Sequence, residues 1–312
     1  MSTPLVILCP GQGAQAVGMG RAFAERSPEA KAVFDRADQI LGDALGLPLS
    51  RLCFEGPADR LNKTDASQPA IYVTSMACYA ALKSQWNYGN GEAPIVAAAG
   101  LSLGEYTALA IAGAMSFEDG LKLVMLRGRA MQDAAEASEG GMVALIGADE
   151  TQAQQVCDRA RGSDVLVCAN FNAPGQIVLS GSKAACERAA PIASEMGLRA
   201  TPLVVAGAFH SPLMQPAADR LSKALSEVSI KAPRCPVYAN VTALPHANDP
   251  SSIRARLVEQ LTSPVRWAQS CAAIGGAQAG KAEFHELAPG RTLAGLYRRI
   301  DKNVKVAAHD EP

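Results

Sequence analysis

The chain has 312 residues, 48% of them apolar and 19% charged, which is enough for a substantial core in one large domain or two unequal ones and gives no sign of disorder. With 29 Lys and Arg against 30 Asp and Glu the net charge is −1, so no global field attracts nucleic acid or an anionic membrane, and neither partner is expected. The apolar run in "MSTPLVILCPGQG" has no basic region before it and is too short for a signal peptide or a membrane span, so a cytoplasmic location is expected.

In chain order the pattern predicts a strand over 4–9, a helix over about 15–41, a helix over about 67–84, a strand over 94–99, and helices over about 103–114 and 117–137. Strands such as "PIVAAA", apolar without alternation, suit a parallel sheet covered on both faces. The rhythm then changes. Strand "MVALIG", helix 150–161, strand "DVLVCAN", turn "NAPG", strand "QIVLSG", helix 182–196 and strand "ATPLVV" follow one another, the βαββαβ order of a ferredoxin-like unit inserted in the chain. A helix begins in "FHSPLMQPAADRLSKAL", and short strands near 236–241 and 283–287 complete the main sheet. The polar tail 302–312 is expected to fray. The predicted division is an α/β body from residues 1–138 and 206–312, with a small subdomain at 139–205. The eight cysteines stand far apart in sequence and read as small buried hydrophobes.

Three strand-to-helix turns carry chemistry. "GLSLGE" is a Gly-x-Ser-x-Gly elbow between the strand "IVAAA" and the helix "LGEYTALAIAGA", a setting that exposes the Ser102 hydroxyl and leaves the Leu103 N–H free for an oxyanion. The same letters also suit a helix cap, with Glu105 closing a capping box. A nucleophile needs a base. His309 lies in the tail and His246 in the loop "ALPHANDP", both read as solvated, while His285 sits inside the strand "EFHEL". His210 follows the strand-like "TPLVVAG" and precedes Ser211-Pro212, an N-cap and first helical position, so it reads as a second residue at the carboxyl end of a parallel strand. The third turn, "CPGQGAQ", is either an anion-binding nest with Gln12 turned toward the same edge or only a chain reversal.

Within "LKLVMLRGRAMQDAA", Arg129 can pair with Asp133 toward solvent. Arg127 instead has Leu123, Val124, Ala130 and Met131 at helical neighbour positions, and a guanidinium on a buried stripe must find an anion. Taken alone, these surroundings favour an internal Asp or Glu over a substrate carboxylate, although a bidentate fork suits the latter.

Together these motifs resemble the malonyl-CoA:acyl carrier protein transacylases and the related acyltransferase domains of fatty acid and polyketide synthases. The likeness runs through "PGQGAQ", "GLSLGEYTAL", "RGRAMQ", "GAFHSPLM", "SPVRW" and "ELAPGRTLAGL" in order. It implies a hydrolase-like α/β parallel-sheet body with a ferredoxin-like insert. It implies Ser102 as acyl-bearing nucleophile, His210 as base and acid, and Arg127 on the malonyl carboxylate. The backbone N–H groups of Gln12 and Leu103 would form the oxyanion hole, and the Gln260 main-chain carbonyl would orient the histidine. The implied substrates are malonyl-CoA and an acidic holo-acyl carrier protein, with no cofactor and no metal, and a monomer is expected. Arg199, Arg298, Arg299 and Lys302 are candidates for the docking surface or are scattered solvated charges. Leu101 departs from the family's usual histidine and leaves open any polar contact made there. Two other readings compete: a serine hydrolase, against which stands the lack of a His-Gly-Gly-Gly motif, and a non-enzymatic carrier-protein-binding module.

Overall fold

The computed structural model describes residues 3–86 and 94–312. Its strands are β1 (Leu5–Cys9), β2 (Ile95–Gly100), β3 (Gly140–Ile146), β4 (Leu166–Ala173), β5 (Gln176–Ser182), β6 (Arg199–Pro202), β7 (Val237–Tyr238), β8 (Glu283–Leu287) and β9 (Val306–His309). They form a five-stranded sheet of order β7-β2-β1-β8-β9 and a four-stranded sheet of order β4-β5-β3-β6. Every pairing in the first is parallel and every pairing in the second antiparallel.

The central strand β1 shows why its sequence does not alternate. Leu5, Ile7 and Cys9 enter the large core shared with the helices Pro28–Leu41, Thr64–Trp86 and Phe117–Glu136. Val6 and Leu8 enter a second core with Trp267, Phe284 and Tyr297 on the other face. Both faces are covered, so every position is apolar. The small sheet has its own core, in which Val143, Leu145, Ile177 and Leu179 pack on the helices Glu150–Arg161 and Lys183–Glu195. All eight cysteines are buried and free. Among the described residues no helix is long and apolar enough to cross a membrane.

Several expectations are corrected. The helix expected over 15–41 is two, Arg21–Arg26 and Pro28–Leu41, because Pro28 forces Ser27 into an extended conformation, from which Ser27 caps the Ala30 N–H. Leu49–Glu55, Ala58–Leu61, Pro250–Glu259 and Trp267–Gln278 are helices that the pattern did not mark. The tail expected to fray carries β9, which adds to the edge of the main sheet by parallel pairing with β8 and so satisfies its main-chain groups. The run "ATPLVV" is a strand only to Pro202. Leu203, Val204 and Val205 beyond it are exposed along the rim of a cleft. His210 therefore does not follow a parallel strand of the body. It lies in the connection that leaves the small antiparallel sheet.

Candidate active site

The elbow is built by close approach. A Cβ on Gly100 would lie 1.8 Å from the Gly104 carbonyl carbon, and one on Gly104 would lie 2.1 Å from the Cys9 carbonyl oxygen, so both positions exclude any side chain. Between them Ser102 is held at φ 53°, a left-handed conformation that costs a non-glycine residue roughly 1–3 kcal/mol unless its surroundings enforce it. Two amide side chains do so: Asn240 Oδ1 accepts the Ser102 N–H at 2.7 Å, and Gln260 Nε2 donates to the Ser102 carbonyl at 3.0 Å.

Ser102 is not a side-chain cap. The helix Gly104–Ile111 starts from Leu103 without any side-chain cap hydrogen bond. The Ser102 Oγ points instead at His210 Nε2, 2.8 Å away, and accepts from Arg127 Nη2 at 3.0 Å. His210, also at positive φ, directs Nδ1 to the Gln260 main-chain oxygen at 2.8 Å. A carbonyl only accepts, so Nδ1 carries the hydrogen and Nε2 presents its lone pair to the serine hydroxyl. Burial, and then the cation of Arg127, push His210 down from 6.5 to about 4, which keeps the ring neutral and basic at neutral pH.

Arg127 is fully buried on the helix Phe117–Glu136. Its Nη1 donates to Gln68 Oε1 at 2.7 Å and its Nη2 to Gln260 Oε1 at 2.9 Å, with the guanidinium 5.4 Å from the Tyr106 ring centre. Its Nε has no partner, and among the described residues no carboxylate lies within ion-pair distance of it. The internal Asp or Glu that the sequence favoured is thus not in contact. A buried cation whose fork rests on neutral amide oxygens, with one N–H unclaimed, can receive a carboxylate. Arg129, by contrast, pairs with Asp133 at 2.9 Å on the surface.

Gln12 follows β1 in the loop that meets the elbow. A Cβ on Gly11 would sit 2.3 Å from the Leu101 oxygen, so glycine brings the two loops into contact. The Gln12 amide donates to Thr64 Oγ1 at 3.3 Å. Among the described residues neither the Gln12 nor the Leu103 N–H finds a main-chain acceptor; Leu103 follows Ser102 directly and Gln12 lines the same cleft. Leu101 packs on the apolar cluster of Val6, Ala97 and Trp267. A cleft of about 720 Å³ opens above these groups, lined by Ser102, His210 and Gln12 from the body and by Asn170, Gln176 and Val178 from the small sheet.

Sequence reading missed Gln68, Asn240 and Gln260's side chain because an amide among apolar neighbours carries no spacing signal. It also misplaced two histidines. His246 is buried with Nε2 2.7 Å from Glu105 Oε1, and Glu105 is no capping-box partner of Ser102. His309 lies on β9 with Nε2 2.8 Å from His285 Nδ1. Among the described residues no group of three or more His, Cys, Asp or Glu is placed to hold a metal ion.

Residues 6–308 match the model of the acyl transferase domain family. The chain is similar to the malonyl CoA-acyl carrier protein transacylase of Bacillus subtilis, at 41% identity over 99% of this chain and 94% of that one. It is similar likewise to that of Escherichia coli K12, at 39% over 99% and 97%. Among solved structures it is similar to an acyl-carrier-protein S-malonyltransferase from Burkholderia pseudomallei, with TM-score 0.91 and 41% identity over 99% of this chain and 97% of that one. It is also similar to a malonyl-transacylase in complex with its type II polyketide synthase acyl-carrier protein, with TM-score 0.90 and 36% identity over 99% and 97%. With a family match over nearly its whole length and a serine, histidine and buried arginine converging on one oxygen, the chain belongs to the acyl transferase domain family.

Proposed function

We propose that this enzyme transfers the malonyl group of malonyl-CoA to the phosphopantetheine thiol of acyl carrier protein through a malonyl-serine on Ser102, supplying the extender unit for fatty acid or polyketide synthesis. His210 Nε2 takes the hydroxyl proton as Oγ attacks the thioester carbonyl. The tetrahedral oxyanion sits on the Gln12 and Leu103 N–H groups, and its collapse expels the CoA sulfur, which receives the proton from His210. The carrier thiol then gives its proton to His210, attacks the malonyl ester and releases Ser102, which recovers the proton. The Gln260 carbonyl keeps the imidazole in the required tautomer throughout.

The observation that carries this reading is that Ser102 Oγ lies 2.8 Å from the base and 3.0 Å from a buried cation. A hydrolase or a binding module has no use for a guanidinium at that place, whereas a malonyl carboxylate would take the unclaimed Nε–H and the Nη2–H now given to Ser102, with Gln68 and Gln260 still holding the guanidinium. The body, residues 1–138 and 206–312, supplies the reacting groups, and the subdomain at 139–205 supplies a wall of the cleft. For carrier protein, Arg299 is exposed at the rim, where it donates to the Pro174 carbonyl and to the side chain of Gln176, a residue lining the cleft. Arg199 is exposed on β6 near that end of the small sheet, and Arg298 and Lys302 are exposed too, so the four offer charge to an acidic partner. The eight free cysteines suit a reducing, cytoplasmic setting.

Intact-mass analysis tests the reading. Mixing with malonyl-CoA should add one malonyl group, acetyl-CoA should add little, and holo-carrier protein should discharge the adduct to malonyl-carrier. Free malonate released at the same rate with and without carrier protein would establish a hydrolase instead.

The acidic limb of acylation offers a second check. With His210 held near 4, the neutral base persists as pH falls through the ordinary imidazole range, and the rate should drop only as pH approaches about 4. A limb at about 6.5 would show that burial and Arg127 do not govern the base. The same depression removes stability as pH falls from 6.5 toward 4, because the unfolded chain takes up a proton that the folded chain refuses. Rates are therefore read by pH jump from neutral solution.

A further inference from the structure

Glu105 stands three residues beyond Ser102, on the helix that leaves the elbow, and is only 1% exposed. Its carboxylate faces three donors: His246 Nε2 on Oε1 at 2.7 Å, and Gln260 Nε2 at 2.7 Å and the Asn240 N–H at 3.0 Å, both on Oε2. Gln260 and Asn240 are the residues that grip the Ser102 main chain. Gln260 does more. Its main-chain oxygen takes His210 Nδ1–H, and its side-chain oxygen takes Arg127 Nη2.

A carboxamide has one accepting end and one donating end and fits its site either way round, so its neighbours decide how it faces. A carboxylate accepts only. Glu105 therefore claims the amino end of Gln260, and the oxygen end is left for the Arg127 guanidinium. Reversed, the amide would set its NH2 against the guanidinium and its oxygen against both the carboxylate and the Ser102 carbonyl, repulsive contacts among buried groups. His246 holds the other carboxylate oxygen. Its Nδ1 has no hydrogen-bond partner among the described residues, so the ring serves Glu105 alone.

We propose that Glu105, braced by His246, is a positioning residue for acyl transfer, fixing the facing of the Gln260 carboxamide and through it the aim of Arg127 and the seat of Ser102. Neither residue lines the cleft, and neither contacts the Ser102 hydroxyl. The inference rests on the acyl-transfer reading given above.

The test is a double-variant cycle of Glu105→Gln and Gln260→Ala, the latter keeping the main-chain oxygen that holds His210. Initial rates of serine malonylation and acetylation are read by quenched intact mass. Glu105→Gln should slow malonylation on the order of 10²-fold, the scale of a misplaced catalytic group, and should narrow the preference for malonyl over acetyl. In the Gln260→Ala background the same replacement should cost little, because the amide that it governs is gone. Additive losses, equal for the two acyl groups, would make Glu105 a structural residue and overturn the proposal. If Glu105→Gln lacks the parent's circular dichroism, the cycle is read from His246→Leu, which keeps the carboxylate. A loss of about tenfold that disappears with Gln260→Ala supports the proposal, and an additive one overturns it. A parent enzyme that takes up no malonyl group would defeat the acyl-transfer reading. A parent that acylates, with variants matching its rate and preference, would defeat this inference alone.

Discussion

Ser102→Ala should gain no mass from malonyl-CoA and should lose transfer to carrier protein by a factor on the order of 10⁶, the scale on which removal of a serine nucleophile acts. The expectation follows from the geometry around one oxygen. Ser102 Oγ is the atom toward which His210 Nε2 and Arg127 Nη2 both point, and no other described nucleophile stands between them. Cys9, which pairs with Gly100 at the elbow, is buried on β1, where burial pushes its thiol above the ordinary range, so it offers no thiolate as a substitute. The fold should be little changed. Alanine meets the same left-handed backbone as serine, the Asn240 and Gln260 contacts to the main chain remain, and Arg127 Nη2 keeps Gln260 Oε1. A melting temperature close to the parent's, together with an undiminished malonyl adduct, would show that another residue bears the acyl group.

Arg127→Ala should change what the enzyme accepts. Two charge-assisted hydrogen bonds to a buried carboxylate contribute roughly 3–6 kcal/mol, so malonylation should fall on the order of 10²–10⁴-fold. Acetyl and propionyl groups never use the fork, and admitting them to the parent leaves the cation unpaired. Their transfer should survive or rise. Arg127→Lys should recover only part of the malonyl rate, because an ammonium keeps the charge and loses the planar fork. The alanine variant carries an internal control. Arg127 is, after burial, the second cause that depresses His210, so its removal should move the acidic limb of acetylation upward from about 4 toward the ordinary imidazole value. Equal loss for every acyl group with an unmoved limb would mean that Arg127 supports the fold and does not select the substrate.

These two residues also show where sequence reading was strong. Gly100 and Gly104 mark an elbow because sterics there admit no side chain, and such constraints are local and visible as letters. The helix Phe117–Glu136 turns Arg127 inward because its neighbours at helical spacing are apolar, which is likewise a one-dimensional pattern. The apolar strands and the βαββαβ order led to the two sheets by the same kind of local evidence.

What the letters could not show was which distant segment satisfies a buried polar group. Glu105 has the spacing of a capping box, yet its carboxylate is claimed by His246, Asn240 and Gln260, all more than a hundred residues away. Arg127 needed a partner, and the surroundings pointed to a carboxylate, but the fold brought Gln68, Gln260 and Ser102 to it instead. "TPLVV" has strand composition, and only the cleft beside it left Leu203, Val204 and Val205 exposed. The tail is polar, and only an open edge on β8 made a strand of it. The letters alone, then, were enough for the elbow, the inward arginine and the class of fold, because glycine sterics, helical period and apolar runs act over a few residues. The tertiary structure alone decided the amide and carboxylate network that holds them, because hydrogen bonds between buried groups depend on proximity in space and leave no period in the chain.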